Sequence, residues 1–161
     1  MKTPLLILAC LTLNVSGQTI NEFSSFIEKW EGRKLTTYRC SEGFLTVGIG
    51  HRLVKGEKIA PKITNKTADL FLARDSVKAL AIAKRQVSGF DYLPSNAKLV
   101  VVSLTFNVGE NGLSKFRKMI AALNAGDMET AALELRSSLW YEQVGQERKD
   151  NHVNLLKFSK I

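Results

Sequence analysis

Residues 31–51 read EGRKLTTYRCSEGFLTVGIGH. Thr36, Thr37, Tyr38, Phe44, Thr46 and Val47 suit a pleated, half-buried surface, and Ser41, Glu42 and Gly43 interrupt them where a turn would fall. The stretch therefore reads as a β-hairpin or a three-strand meander, and it is the only convincing strand region in the chain. Upstream, Thr19 followed three residues later by Glu22 is a capping-box start, and Ile20, Phe23, Phe26, Ile27 and Trp30 recur at helical spacing up to Gly32. That helix delivers Glu31 at its last turn, just ahead of the strands.

Downstream the pattern turns helical. Thr64–Val87 is one long candidate helix with Leu70, Val77, Leu80 and Val87 among its apolar positions, suited to be a spine between two lobes. Further helices read from 95–109, 113–126, 127–140 and 147–158, with Ser95 and Asp127 as expected N-caps and Gly109 and Gly126 as expected stops. The expected fold class is α+β: a small N-terminal β lobe, a larger helical lobe, and a long helix joining them. A ligand is expected between the lobes.

With 45% hydrophobic and 24% charged residues over 161 positions, the chain suits one domain with a real core and not two full ones. A net charge of +8 favours a polyanionic partner: nucleic acid, an anionic membrane surface or an anionic cell-wall polymer. The N-terminus is the outline of an export sequence. Lys2 precedes an uncharged run from Thr3 to Asn21, whose apolar centre is Leu5 to Val15. At about 1.5 Å per residue the run spans roughly 28 Å, close to the bilayer hydrocarbon thickness. Two readings stand: an uncleaved, weakly held anchor across residues 3–21, or a signal peptide cleaved after Val15, Ser16 and Gly17. The division expected is an export segment at 1–18 and a catalytic domain at 19–161.

Chemically, residues 31–51 offer the Glu31 acid, then Cys40, Thr46 and His51 on a strand-turn-strand unit. A carboxyl that protonates a leaving oxygen, opposite groups that hold water, is the set needed for glycoside hydrolysis. Each member alone has a blander reading: a solvated helix-end glutamate, a β-prone threonine, a structural histidine.

Together they carry a resemblance. Glu31, Gly32, Tyr38, Gly43, Thr46, Gly48, Gly50 and His51 match in type and spacing the active-site segment of the phage-type lysozymes, with Cys40 where that family usually has Asp. Residues 103–112, with Phe106 and Asn107, resemble the family's helix-end segment, and Leu139, Trp140 and 145–149 its closing motif, although His152 replaces an acidic residue. The resemblance covers roughly residues 20–158. It implies the lysozyme-like two-lobed fold and an endolysin that cuts the β-1,4 bond between N-acetylmuramic acid and N-acetylglucosamine in peptidoglycan during host-cell lysis. It makes Glu31 the general acid and gives Cys40 and Thr46 the attacking water, with inversion as the expected outcome. It gives His51, Phe106 and Asn107 to the substrate and pairs His51 with Asp75. No metal, cofactor or nucleic acid is implied, and a monomer is expected. Arg33 and Arg39 are the cations expected to favour a Cys40 thiolate.

The chain has two cysteines, Cys10 in the export segment and Cys40 in the site. In a branch of phage-type lysozymes tethered to the inner membrane before release, a catalytic-position cysteine is caged by a second domain cysteine and freed by one from the anchor. Here the third cysteine is absent. Three readings stay open: an outside thiol caps Cys40 and Cys10 displaces it, Cys10 and Cys40 join once the anchor leaves the bilayer, or Cys10 is only an apolar anchor residue. An exported, periplasmic enzyme follows from each. Two rival functions are a thiol peptidase or amidase using Cys40 and His51, and an inactive wall-binding module.

Overall fold

The computed structural model describes residues 14–15, 18–40 and 43–159. The export segment except Asn14, Val15 and Gln18, its cleavage reading at Ser16 and Gly17, Cys10 with its redox readings, and Glu42 lie outside the described residues. Among the described residues no helix is long and apolar enough to cross a membrane. Two compact units make up the structure, one built on Thr19–Lys78 and one from Ala79 onward.

The first unit opens with α1 (Ile20–Glu31). Glu22 N–H donates to Thr19 Oγ1 at 3.3 Å and Thr19 N–H to the Glu22 carboxylate at 2.6 Å, so two donors that a helix start leaves open are satisfied reciprocally. Ile20, Phe23 and Ile27 are buried on one face, each contributing roughly 1.5–3 kcal/mol relative to exposure. Gly32, at φ 67°, ends the helix, its N–H donating to Glu28 O at 3.0 Å.

Three antiparallel strands come next in sequence order, β1 (Lys34–Arg39), β2 (Leu45–Gly48) and β3 (His51–Arg52), so the meander is the arrangement realised. Tyr38 pairs with Thr46 across β1–β2, and Thr46 with Arg52 and Val47 with His51 across β2–β3. Directly paired residues share a face and successive residues alternate. Tyr38, Thr46 and Arg52 therefore share one face, while Val47 and His51 are buried on the other. The outer edge of β1 is not left open: Ile63 N–H donates to Leu35 O at 2.8 Å and Thr37 N–H to Pro61 O at 3.1 Å. Gly48 sits at φ 68°, a backbone conformation that calls for glycine, with Ala68 and Ile63 3.4 Å from where a Cβ would stand. That helix is α2 (Asn65–Gln86). Thr64 Oγ1 caps it by accepting Thr67 N–H at 3.1 Å, and a buried hydrogen bond of 3.1 Å from Ser24 to Ser76 ties α1 to it. The boundary between units falls inside α2, which makes it the joining helix expected from the sequence.

The second unit is helical: α3 (Ser95–Leu113), α4 (Arg117–Asn124), α5 (Met128–Arg136), α6 (Leu139–Gln143) and α7 (Gln146–Lys157), after a short 3-10 turn at Phe90–Tyr92. The α+β class is thus the observed one. Helix α5 packs on α4 and α7, and α3 on α7, around Val101, Leu104, Leu123, Leu135 and Leu156. Asp127 caps α5 as expected, accepting Thr130 N–H at 2.9 Å. Gly109 is a break as expected: at φ 70°, ψ −177° it is non-helical and divides the 95–113 stretch in two. Beyond it Glu110 O accepts Gln86 Nε2–H at 2.9 Å and its carboxylate pairs with Arg85 at 2.7 Å. Two expectations fail locally. Pro94, not Ser95, is the cap residue of α3, because the ring presets φ for helix entry and Ser95 is already helical. The helix read over 127–140 divides at Ser137 and Ser138 into α5 and α6.

Candidate active site

The candidate acid Glu31 is the last residue of α1 and half-buried. Its position is fixed by a clamp on the helix end. Arg33 Nη2 lies 2.7 Å from Glu28 and 2.7 Å from Asp69, and its Nη1 donates to Asn65 Oδ1 at 3.2 Å, which holds the end of α1 to the start of α2. The carboxylates of Asp69 and Glu28 hold the guanidinium above its ordinary pKa range. Arg39 Nη1 donates to Gly43 O at 2.8 Å.

Cys40 lies just after β1, at the turn. Its N–H donates to Phe44 O at 2.9 Å and Gly43 N–H donates to its carbonyl at 2.8 Å, which extends the ladder by one pair and brings the side chain back to the face of Tyr38 and Thr46. Burial pushes the Tyr38 phenol up, and the charges of Glu31 and then Cys40 push it further. One phenol thus feels both the candidate acid and the candidate thiol. Lys34 Nζ lies 4.4 Å from the Tyr38 ring centroid. Thr46, opposite Tyr38 and buried, donates its hydroxyl hydrogen to Phe44 O at 3.1 Å. Toward any further partner that hydroxyl offers only lone pairs.

His51 faces the other way. It is buried, with Nδ1 donating to Asp75 Oδ2 at 2.6 Å, Nε2 3.3 Å from both Glu57 oxygens, and the Phe71 ring at 4.4 Å. Arg74 lies 3.3 Å from Asp75 Oδ1 and 3.7 Å from Glu57. The structure thus brings His51 to Asp75 and adds three residues that the sequence does not announce. Arg74 is legible there only as the neighbour of Asp75, and Glu57 sits in an irregular loop with no signal. With a carboxylate at each ring nitrogen and the opposite face of the sheet as its place, His51 is oriented as a tie from strand to helix, not as a base for Cys40.

Burial alone pushes the Asp75 carboxyl up, but the hydrogen bond from His51, then the charges of His51, Arg74 and Lys78, outweigh it and hold it below the usual range. For Glu57, burial is likewise outweighed by the Val54 N–H, His51 and Arg74. A carboxylate depressed on folding stabilises the protein above its ordinary pKa, and that stability is lost as pH falls through the depressed value. Asp75→Asn is expected to cost about 1–3 kcal/mol at neutral pH, with the loss shrinking below about pH 4. Urea denaturation of both proteins at neutral pH and at about pH 3 checks this, and an equal loss at both would contradict it.

In the second unit Phe106 and Asn107 are half-buried on α3. Trp140 Nε1–H donates to Asn107 Oδ1 at 2.9 Å, which fixes the amide and turns its NH2 group outward from the indole. His152, which stands where the family resemblance has an acidic residue, is fully buried, with Nε2 3.0 Å from Ser103 Oγ and its ring 5.4 Å from Trp140. The Arg148 guanidinium lies 5.9 Å from the same indole.

Comparisons with known proteins agree with this fold. The phage lysozyme family model matches residues 28–152, well over half of the chain. The chain is 26% identical over 150 residues to a probable T4-type lysozyme 2 of Dictyostelium discoideum, covering 77% of this chain and 87% of that protein. It is 31% identical over 108 residues to an endolysin of Acyrthosiphon pisum secondary endosymbiont phage 1, covering 67% and 70%. It is also similar, at 24% identity, to the pre-baseplate central spike protein of Enterobacteria phage T4, where it spans 74% of this chain but 25% of that longer protein.

Proposed function

The chain belongs to the phage lysozyme family, whose substrate is peptidoglycan, and from that premise we propose that it is an endolysin cleaving the β-1,4 bond between N-acetylmuramic acid and N-acetylglucosamine with inversion. The observation that supports the reading is that Tyr38, paired with Thr46 across β1–β2, feels the charges of both Glu31 and Cys40.

In this mechanism Glu31 donates its proton to the glycosidic oxygen as the bond to the anomeric carbon breaks. A water on the far side of the ring gives one hydrogen bond to Thr46 Oγ1, whose own hydrogen is taken by Phe44 O. Its other proton goes to the Cys40 thiolate as the oxygen attacks, and the product carries the inverted configuration. Arg33 keeps Glu31 in place through Glu28 and Asp69, and His51 with Asp75 keeps β3 on α2. Asn107 and Phe106 belong to the sugar-binding side. The net charge of +8 suits an anionic wall without nucleic acid. We read residues 3–21 as the export element that takes the enzyme, acting as a monomer, to the periplasmic side of the host inner membrane.

The test is to incubate the full chain with purified peptidoglycan and assay reducing sugar, free amines and, by NMR, the anomer first formed. Reducing sugar with inverted configuration is expected; new amines without reducing sugar would replace this reading with an amidase or peptidase.

A further inference from the structure

The loop between β3 and α2 carries Lys55, Lys58 and Lys62, and Lys66 follows in the first turn of α2. All four are exposed, and none has an ion pair among the described residues. The acids of the same unit are placed otherwise. Glu22 closes the capping box, Glu28 and Asp69 hold Arg33, and Asp75 pairs with His51 and Arg74. Glu57, the carboxylate of the loop itself, is turned inward: it accepts Val54 N–H at 3.2 Å and lies 3.3 Å from His51 Nε2 and 3.7 Å from Arg74. Acids are thus drawn into internal ties while these lysines keep their charge uncompensated. The loop backbone is fixed. Glu57 N–H donates to Val54 O at 3.0 Å in a turn that Gly56, at φ 88°, permits, with Lys55 at its tip. The bonds of Thr37 with Pro61 and of Ile63 with Leu35 set Lys62 opposite Thr36 on the outer edge of β1. Lys66 stands where the macrodipole of α2 disfavours a cation, and no acid in that turn offsets it. A charge kept against the local folding preference points to a role outside folding.

We propose that Lys55, Lys58, Lys62 and Lys66 form a docking surface for the anionic wall polymer, engaging the stem-peptide carboxylates on either side of the bond being cut. The proposal rests on the peptidoglycan-hydrolase reading and adds to it where on the enzyme the polymer is held. In intact peptidoglycan the sugars are neutral, because the lactyl carboxyl of muramic acid is tied up as an amide, so the negative charge lies on the stem peptides. Those carboxylates recur along the glycan on flexible chains and have no fixed position. Ammonium groups on long stems, each a point charge with freely turning donors, suit such a target. Thr36, opposite Lys62, is two residues, about 7 Å of strand, from Tyr38. A lipid surface offers negative charge too, but the unit that carries these lysines also carries Glu31 and Cys40, and the polymer those residues are read to cut is itself anionic.

The experiment measures co-sedimentation of the full chain with sacculi and, separately, reducing-sugar release. One variant combines Lys55→Gln, Lys58→Gln, Lys62→Gln and Lys66→Gln, and a second changes the same four residues to Arg. A third combines Lys115→Gln, Arg117→Gln, Lys118→Gln and Lys157→Gln, removing as much charge from exposed positions of the helical unit. Each is first shown to be folded by thermal unfolding. At low salt the first variant is expected to bind native sacculi about tenfold more weakly than the unaltered protein. It is expected to match the unaltered protein on sacculi whose carboxylates have been amidated with carbodiimide and ammonium. The Arg variant keeps its binding, and the helical-unit variant loses no more than about twofold. Equal losses in the two Gln variants would mean diffuse net charge and overturn the proposal, as would normal binding of native sacculi by the first. Loss of binding to phosphatidylglycerol vesicles with sacculus binding intact would overturn it in favour of a membrane surface. Binding that follows the expected pattern, with no reducing sugar from the unaltered enzyme, would support the docking surface and sink only the hydrolase reading.

Discussion

Glu31→Gln is expected to lower reducing-sugar release from peptidoglycan by about 10²–10⁴-fold while leaving the fold intact. The substitution keeps the size and polarity of the side chain but removes the transferable proton. The sugar leaving group is an alkoxide unless protonated as the bond breaks, and Glu31, at the end of α1, is the carboxyl whose charge is felt at Tyr38. The clamp of Arg33 with Glu28 and Asp69 on this helix end is left in place by the substitution. The measurement is a steady-state rate on sacculi alongside thermal unfolding and sedimentation of the variant with the wall. A folded, wall-binding Glu31→Gln with near-normal rate would remove Glu31 as the acid. It would also reopen the chemistry in which Cys40 attacks directly.

The parts of this architecture legible from sequence are those dictated by local chemistry. The Thr19–Glu22 capping box, the break at Gly32, the turn at Gly43 and the Asp127 cap each stem from a residue type whose backbone preference leaves few choices. The strand alternation around Tyr38 and Thr46 is legible for the same reason. What stays hidden depends on contacts between distant segments. The break at Gly109 is legible, but not that Glu110 beyond it meets Gln86 and Arg85. Glu57 reads as an ordinary solvated acid until the loop carries it to His51. That Asp69, from the next helix, pairs with Arg33 is likewise not legible in the sequence. Composition and local pattern fix where a charge is, but not which opposite charge the fold will bring to it.

The thiol at position 40 makes the second large prediction, and it concerns pH. An ordinary cysteine titrates near 8.5 and an ordinary aspartate near 3.9, so at pH 6.5 a thiol that must act as thiolate is ionised to about one part in a hundred, whereas a carboxylate is fully ionised. Cys40→Asp is therefore expected to be faster than the unaltered enzyme in mildly acid solution, by up to about 10²-fold. Both proteins share Glu31, the wall and every other group, so their rate ratio at each pH isolates position 40. If the water gives its proton to the thiolate, that ratio falls about tenfold per pH unit as pH rises toward the thiol's ionisation and flattens above it. The sign is fixed: a base whose active form appears only as pH rises gains on one already ionised. Iodoacetamide should silence the unaltered enzyme and spare Cys40→Asp, since the variant has no thiol at the site. A rate ratio constant from about pH 6 to 9 would mean that Cys40 acts as a neutral hydrogen-bonding thiol and that Thr46 with the substrate orients the water. In that event Cys40→Ser, which keeps a donor and an acceptor but cannot ionise in this range, would retain activity, whereas the thiolate mechanism requires it to fall with Cys40→Ala.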